Sequence, residues 1–281
     1  MPSIERSINR WTYPSASTPF PASASLGAPP KSGGAEPETW WRDLPPQPEP
    51  GLLAQQGSLA FELDGVGMQA SGTGSGVGDL LFWRERSGAI SNIVGGADED
   101  RERLLALIAG KVRPSVGRRR IAGHELEALP PAAQRALRHR FVGSVLPGDA
   151  LFPQLTLREN VALPLLAGAV PDALALKEAQ VELEQLGLGN VGDVPPALLR
   201  ASQRRSALIA IALVHGPRLC VIDHPEESLG EREIGRLRQR LSQAARVDGM
   251  CLVLSTKHPQ LTSLVGTTLS LAKHHALPVR T

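Results

Sequence analysis

The feature that most constrains this chain is an alternation of short apolar runs with longer segments of helical periodicity. LAFEL (59–63), GAISNIV (88–94), RFVGSVL (140–146), RLCVID (218–223), CLVLST (251–256) and TTLSLA (267–272) read as strands. Segments 98–110, 131–139, 157–167, 174–187, 201–215 and 230–246 repeat their apolar residues every three or four positions and read as helices. The last five strands are separated by helical material, and several are apolar throughout. Parallel strands covered on both faces have this pattern. The expectation is a three-layer α/β domain over residues 51–281, with a helical insert at about 148–200.

Residues 1–50 differ. They hold 11 of the 24 prolines and no periodicity, so burial cannot offset their ordering entropy. They read as a disordered, Pro-rich extension. The same stretch carries Trp11, Trp40 and Trp41, three of the four tryptophans, with Tyr13 and Phe20. Such rings either lie against the domain's own surface or serve as docking anchors for a partner.

Composition excludes several classes. Lys plus Arg total 30 and Asp plus Glu 28, a net +2, which argues against a nucleic-acid partner. The longest apolar run, Val161 to Val170, is interrupted by Pro164 and falls far short of the ~20 residues of a membrane span. No apolar stretch follows the first charges, so no ordinary secretory signal is expected. Cys220 and Cys251 both sit in apolar runs, as buried thiols of a reduced, cytosolic protein. The histidines and cysteines show no zinc spacing, so no metal site of that kind is expected. The basic run VGRRR (116–120) reads as an exposed hairpin edge, ASQRRS (201–206) as an exposed helix start, and His274 and His275 as a solvated tail.

FPQLTLRENVALPLLAG (152–168) resembles the segment after the Q-loop in ATP-binding subunits of ABC transporters, of the exporter type serving lipoproteins and macrolides. The register extends both ways. LDGV (63–66) resembles the first strand and SGAISNIVGG (87–96) the strand entering the phosphate loop. LLALIAGKVRPSVGRRRIAGHEL (104–126) resembles the helix and hairpin that follow. LLRASQRRSALIAIALVHGPRLCVIDHPEESLG (198–230) resembles the signature helix, Walker B strand and D-loop. LVLSTKHPQL (252–261) resembles the switch region. The resemblance covers about 58–275 and implies a P-loop NTPase-like fold.

It also implies a nucleotide site, and there this sequence departs from the family pattern. A phosphate loop GxxxxGK[ST] uses glycines to aim N–H groups at phosphate, its Lys to reach the β/γ-phosphates and its hydroxyl to hold Mg²⁺. Here Gly95 and Gly96 enter GADEDRER (96–103). Asp100 takes the last glycine's place, Arg101 the lysine's and Glu102 the hydroxyl's. At ~5 Å and an effective dielectric of ~20, each like-charge pair with a triphosphate costs about 3 kcal/mol, against about 8 kcal/mol for micromolar binding. The same carboxylates suit a helix N-terminus, with Asp98 as N-cap.

Other positions depart similarly. The adenine-stacking aromatic aligns with Ala70 in MQAS, and GTGSGVGD (72–79) reads as a flexible turn. The Q-loop Gln is Pro147, which has no side-chain donor or acceptor. LSGGQ reads LRASQ, with Arg200, Ala201 and Ser202 replacing Ser and both glycines; Gln203 remains. Asp223 keeps the Walker B carboxylate, which reaches Mg²⁺ in the family, but the catalytic Glu is His224. The D-loop Asp is Gly230, and the switch His is Lys257, with His258 next. Positions the fold needs persist, among them Leu104, Leu105, Ile108, Gly110, Leu155, Asn160, Pro217, Pro225 and Leu229.

The resemblance therefore implies a cassette-like subunit without catalysis and without a cofactor. It would act at the inner membrane face through a membrane permease subunit, an intact ABC ATPase subunit or a second copy of itself. The alternative is an ATPase driving export, with ATP and Mg²⁺ held through Asp223 and Arg101. A third reading gives the acidic loop a cation or basic peptide instead.

Overall fold

The computed structural model describes residues 58–67, 80–272 and 275–280. Two sheets build the molecule. Strands β1 (Leu59–Gly67), β2 (Leu80–Arg86), β4 (Val116–Ile121) and β5 (His124–Glu125) form an antiparallel sheet in the order β2-β1-β4-β5. Strands β3 (Ile90–Gly95), β6 (Val142–Val145), β7 (Leu219–Asp223), β8 (Cys251–Ser255), β9 (Thr267–Ala272) and β10 (His275–Arg280) form the second, ordered β10-β9-β3-β8-β7-β6. In it β9, β3, β8, β7 and β6 are mutually parallel, and β10 pairs antiparallel with β9.

The five apolar runs read as parallel strands are these five. β7 and β8 are buried at every position. Leu219 and Val221 face one apolar cluster, shared with Phe61, Leu63 and Trp83 of the antiparallel sheet and with helix α1 (Asp98–Ile108). Cys220 and Ile222 face the other, shared with helices α3 (Leu157–Ala167), α4 (Asp172–Gln185), α5 (Ala201–Val214) and α6 (Glu231–Arg246). The two thiols thus lie on opposite faces of the parallel sheet, and burial pushes that of Cys220 up to about 12. The remaining helices are α2 (Pro131–Phe141) and α7 (Pro259–Thr262). Gly143 lets β6 and α5 touch: a Cβ there would stand 1.9 Å from the Ala212 carbonyl oxygen.

Two polar clamps fix the helical side. Asn160, fully buried, accepts from the Phe152 amide at 2.7 Å and donates to the carbonyls of Phe152, Leu155 and Thr156, which holds the loop entering α3. Arg240 on α6 grips Glu182 on α4 at 2.8 and 3.0 Å, both side chains 7% exposed, and reaches Asp248 at 3.3 Å.

Several expectations are corrected. Strand β2 is not among the strands expected from sequence, and residues 275–280 form β10 instead of a tail. Arg140 and Phe141, expected in a strand, finish α2. VGRRR does open the β4–β5 hairpin as expected, with Val116, Gly117 and Arg118 exposed and β5 pairing only at Arg120 and Ile121, but one of its arginines, Arg119, is buried. Its guanidinium donates to the carbonyls of Leu107 and Val112 and to Glu127, so the charge is held by acceptors instead of water. Residues 1–57, Ala70, the 72–79 glycine run and His274 lie outside the described residues.

Candidate functional site

Parallel α/β sheets place their loops, and usually their ligands, at the carboxyl ends of the strands. Those ends gather the positions singled out above. Gly95 ends β3, Asp223 ends β7 opposite Ser255 of β8, and Pro147 follows β6, the neighbour of β7.

Gly95 and Gly96 both take positive φ, +75° and +67°. A Cβ at Gly96 would lie 2.9 Å from Leu271 Cβ, so a side chain there is both strained and crowded. Helix α1 starts directly afterwards. Its N-cap is Ala97, with no side-chain cap, so Asp98 is the first helical residue and not the cap. Asp98, Glu99 and Asp100 fill the first turn, where carboxylates favour the helix dipole.

Arg101 is 5% exposed and folds back into the loop. Nη1 donates to the carbonyls of Gly95 and Gly96, each at 3.3 Å, while Nη2 pairs with Asp98. The hydrogen bond and charge of Arg101 lower the Asp98 carboxyl below the usual carboxylate range, and the charges of His224 and Lys257 add to the effect. Asp98, Arg101, His224 and Lys257 therefore share one electrostatic neighbourhood. Glu102 is half-buried and lies one residue on along α1.

At the end of β7, Asp223 is 5% exposed, and its Oδ1 has no hydrogen-bond partner. His224 Nε2 stands 3.8 Å from that oxygen. His224 adopts φ +40°, uncommon for a residue with a Cβ. Its amide donates to Ser255 O at 2.9 Å, and its carbonyl accepts from Arg205 Nη2 at 2.8 Å. Arg205 also donates to the Asp223 carbonyl. It belongs to ASQRRS, which starts α5 as expected with Ala201 and Arg204 exposed, but the Arg205 side chain is only 12% exposed. Arg200 precedes α5, its amide bonded to Gln203 Oε1 at 2.9 Å.

After β8, Asn92 grips Thr256 through both backbone groups at 2.9 and 3.0 Å. Glu226 accepts from Thr256 Oγ1 at 2.7 Å and from the Lys257 amide at 3.4 Å. His258 turns to Glu231, 3.5 Å away. Pro147 occupies a turn closed by Asp149, whose Oδ2 accepts from the Leu146 amide at 2.8 Å and whose carboxylate pairs with Lys111.

Arg205, Glu226, Asn92 and Asp149 join the site without having been singled out in the sequence. The lone amide in ISNIV is a usable signal for Asn92. Nothing local distinguishes the others. Among the described residues no group of three or more His, Cys, Asp or Glu could hold a metal ion, and no helix is long and apolar enough to cross a membrane.

Comparison with known proteins places these features. A family described as ABC transporter matches residues 88–227. The lipoprotein-releasing system ATP-binding protein LolD of Pseudomonas fluorescens is 32% identical over 187 residues, 66% of this chain and 82% of that protein. LolD of Nitratidesulfovibrio vulgaris is 29% identical over 222 residues, 78% of this chain and 95% of that protein. The dimeric structure of MJ0796, a bacterial ABC transporter cassette, superposes with a TM-score of 0.71 at 21% identity, covering 78% of this chain and 98% of that one.

Proposed function

Because this chain belongs to the ABC transporter ATP-binding subunits of the lipoprotein-exporter type, we propose that it is a non-hydrolysing member of them, acting as a scaffold or regulator in a transporter. The cassette spans 51–281 in this reading, with its insert over about 148–200. Its partners are a membrane permease subunit and an intact ATP-binding subunit or a second copy, as the dimeric cassette it resembles suggests. Trp11, Trp40 and Trp41 lie outside the described residues, and no role at the transporter is assigned to them.

The observation that carries the proposal is the seat of Arg101. Its guanidinium occupies the loop between Gly95 and Asp98, bonded to the loop's own carbonyls and to Asp98. The three acidic side chains of the first turn sit at the same end of α1. A triphosphate would have to displace a satisfied ion pair and then meet like charge in its place. The residues do not fit that ligand. Two of the neighbouring positions offer no free general base: Pro147 has no such group, and Glu226 is held by Thr256 and the Lys257 amide, which leaves the His224 imidazole as the one base beside Asp223 among the positions described above.

One observation favours the second reading, an ATP-hydrolysing subunit. Asp223 Oδ1 is buried and unpartnered, which suits a cation. Calorimetry with Mg²⁺ and ATP, beside a hydrolysis assay, separates the two. The proposal expects no binding tighter than about millimolar and no hydrolysis above background. Hydrolysis at ordinary transporter rates, abolished by Asp223→Asn, would overturn it.

A further inference from the structure

The outer face of the antiparallel sheet carries an apolar strip where such a face is ordinarily polar. Register sets Leu80 and Val116 on either side of Gly67. Phe82 lies beside Gly65, where a Cβ would come within 3.6 Å of its ring. The two glycines leave a floor without side chains between three hydrophobes. Phe82 is 60% exposed, Leu80 49% and Val116 40%. Arg84 and Arg118, both exposed, border the strip, with Glu62 opposite Arg84 and the exposed Asp64 opposite Arg118 in the register. Arg120 on the same face is committed to Glu62 at 2.9 Å.

We propose that this strip seats the chain's own N-terminal segment around Trp40 and Trp41. Three observations select that occupant. The segment EPETWWRD (36–43) pairs two indoles with Glu36, Glu38 and Asp43 against one Arg42, so it presents apolar rings with a net acidic rim to an apolar strip whose rim, Arg84, Arg118 and Arg120 against Glu62 and Asp64, is net basic by one charge. About 18 residues separate Trp41 from Leu59, a reach of up to ~60 Å, whereas β1 carries the chain only ~27 Å from Leu59 to Gly67. Between them lie Pro45, Pro46, Pro48 and Pro50, which stiffen the tether and lower the ordering cost. Tethering also raises the local concentration of the rings to about millimolar, so contacts too weak for a separate partner suffice. The inference is independent of whether the chain hydrolyses ATP.

The test uses full-length protein carrying 5-fluorotryptophan, with the Trp40 and Trp41 fluorine resonances assigned by Trp40→Phe and Trp41→Phe. Both resonances are expected away from their positions in an unfolded chain and unchanged on dilution. Phe82→Asp alters an exposed side chain, so the fold survives, which the unchanged Trp83 resonance verifies. It is expected to lower the docked-to-free ratio of Trp40 and Trp41 by about tenfold or more, as for loss of an aromatic anchor. Arg84→Glu combined with Arg118→Glu lowers it too, and added salt lowers it in the unaltered chain. Unfolded-chain positions in the unaltered protein would overturn the proposal. So would shifts that ignore Phe82→Asp, that vanish on dilution (a second copy), or that arise only when vesicles or a permease are added.

Discussion

Arg205 on α5 holds the carbonyl of His224 at 2.8 Å, across 19 positions of sequence. Through that bond the helix following Arg200 is tied to the turn after β7, at a residue whose φ is +40°. The Ser255 carbonyl fixes the same residue from β8. Arg205→Ala leaves the carbonyls of Asp223 and His224 without this donor and is expected to cost about 2–3 kcal/mol, as for a hydrogen bond to a charged group. Urea denaturation measures it. Arg205→Lys recovers only part, because one ammonium cannot reproduce the fork.

Asn160→Ala removes four hydrogen bonds to one buried loop. The expected loss is about 2–4 kcal/mol. Amide exchange at Phe152 is expected to rise further than exchange in the parallel strands, because the loop opens before the sheet does.

The Glu182–Arg240 pair is buried at both ends. Replacing Glu182 alone by Leu leaves the buried guanidinium with only Asp248 at 3.3 Å and is expected to cost about 3 kcal/mol. Glu182→Leu together with Arg240→Met is expected to recover most of that loss. A double-mutant cycle by urea denaturation reads the difference, and equal costs for the single and double variants would refute it.

Burial lowers the His215 imidazole to about 4, and both ring nitrogens are shut off from solvent. The folded chain keeps the ring neutral, while the unfolded chain protonates it below about 6.5. The unfolded state therefore binds more protons between these values, and stability falls as pH drops from about 6.5 toward 4. The full effect is about 3 kcal/mol. His215→Leu is expected to flatten that part of the pH–stability profile.

The parallel sheet is legible in the sequence because β7 and β8 each carry four successive apolar residues, LCVI and CLVL, a run that a half-exposed strand or a surface helix does not produce. Strand β2 is not, since LLFWRER alternates faces over only seven residues, and its outer face breaks the polar rule at Leu80 and Phe82. The positions at the strand ends are legible one at a time, but their partners are not. Register makes Arg101 a stand-in for a phosphate-binding lysine. In the structure it turns back and binds the carbonyls of Gly95 and Gly96 in its own loop. Arg119 and Arg205 escape a sequence reading for one reason: it equates charge with solvent, whereas backbone carbonyls can take water's place around a guanidinium.

Cys220 and Cys251, each sealed on its own side of the central sheet, can meet an alkylating reagent only after the layer packed over that face has lifted. Their labelling rates under native conditions are therefore two clocks, one for the opening of each core. Because both clocks sit on adjacent strands but in different cores, equal rates would mean that the two cores come apart in a single event.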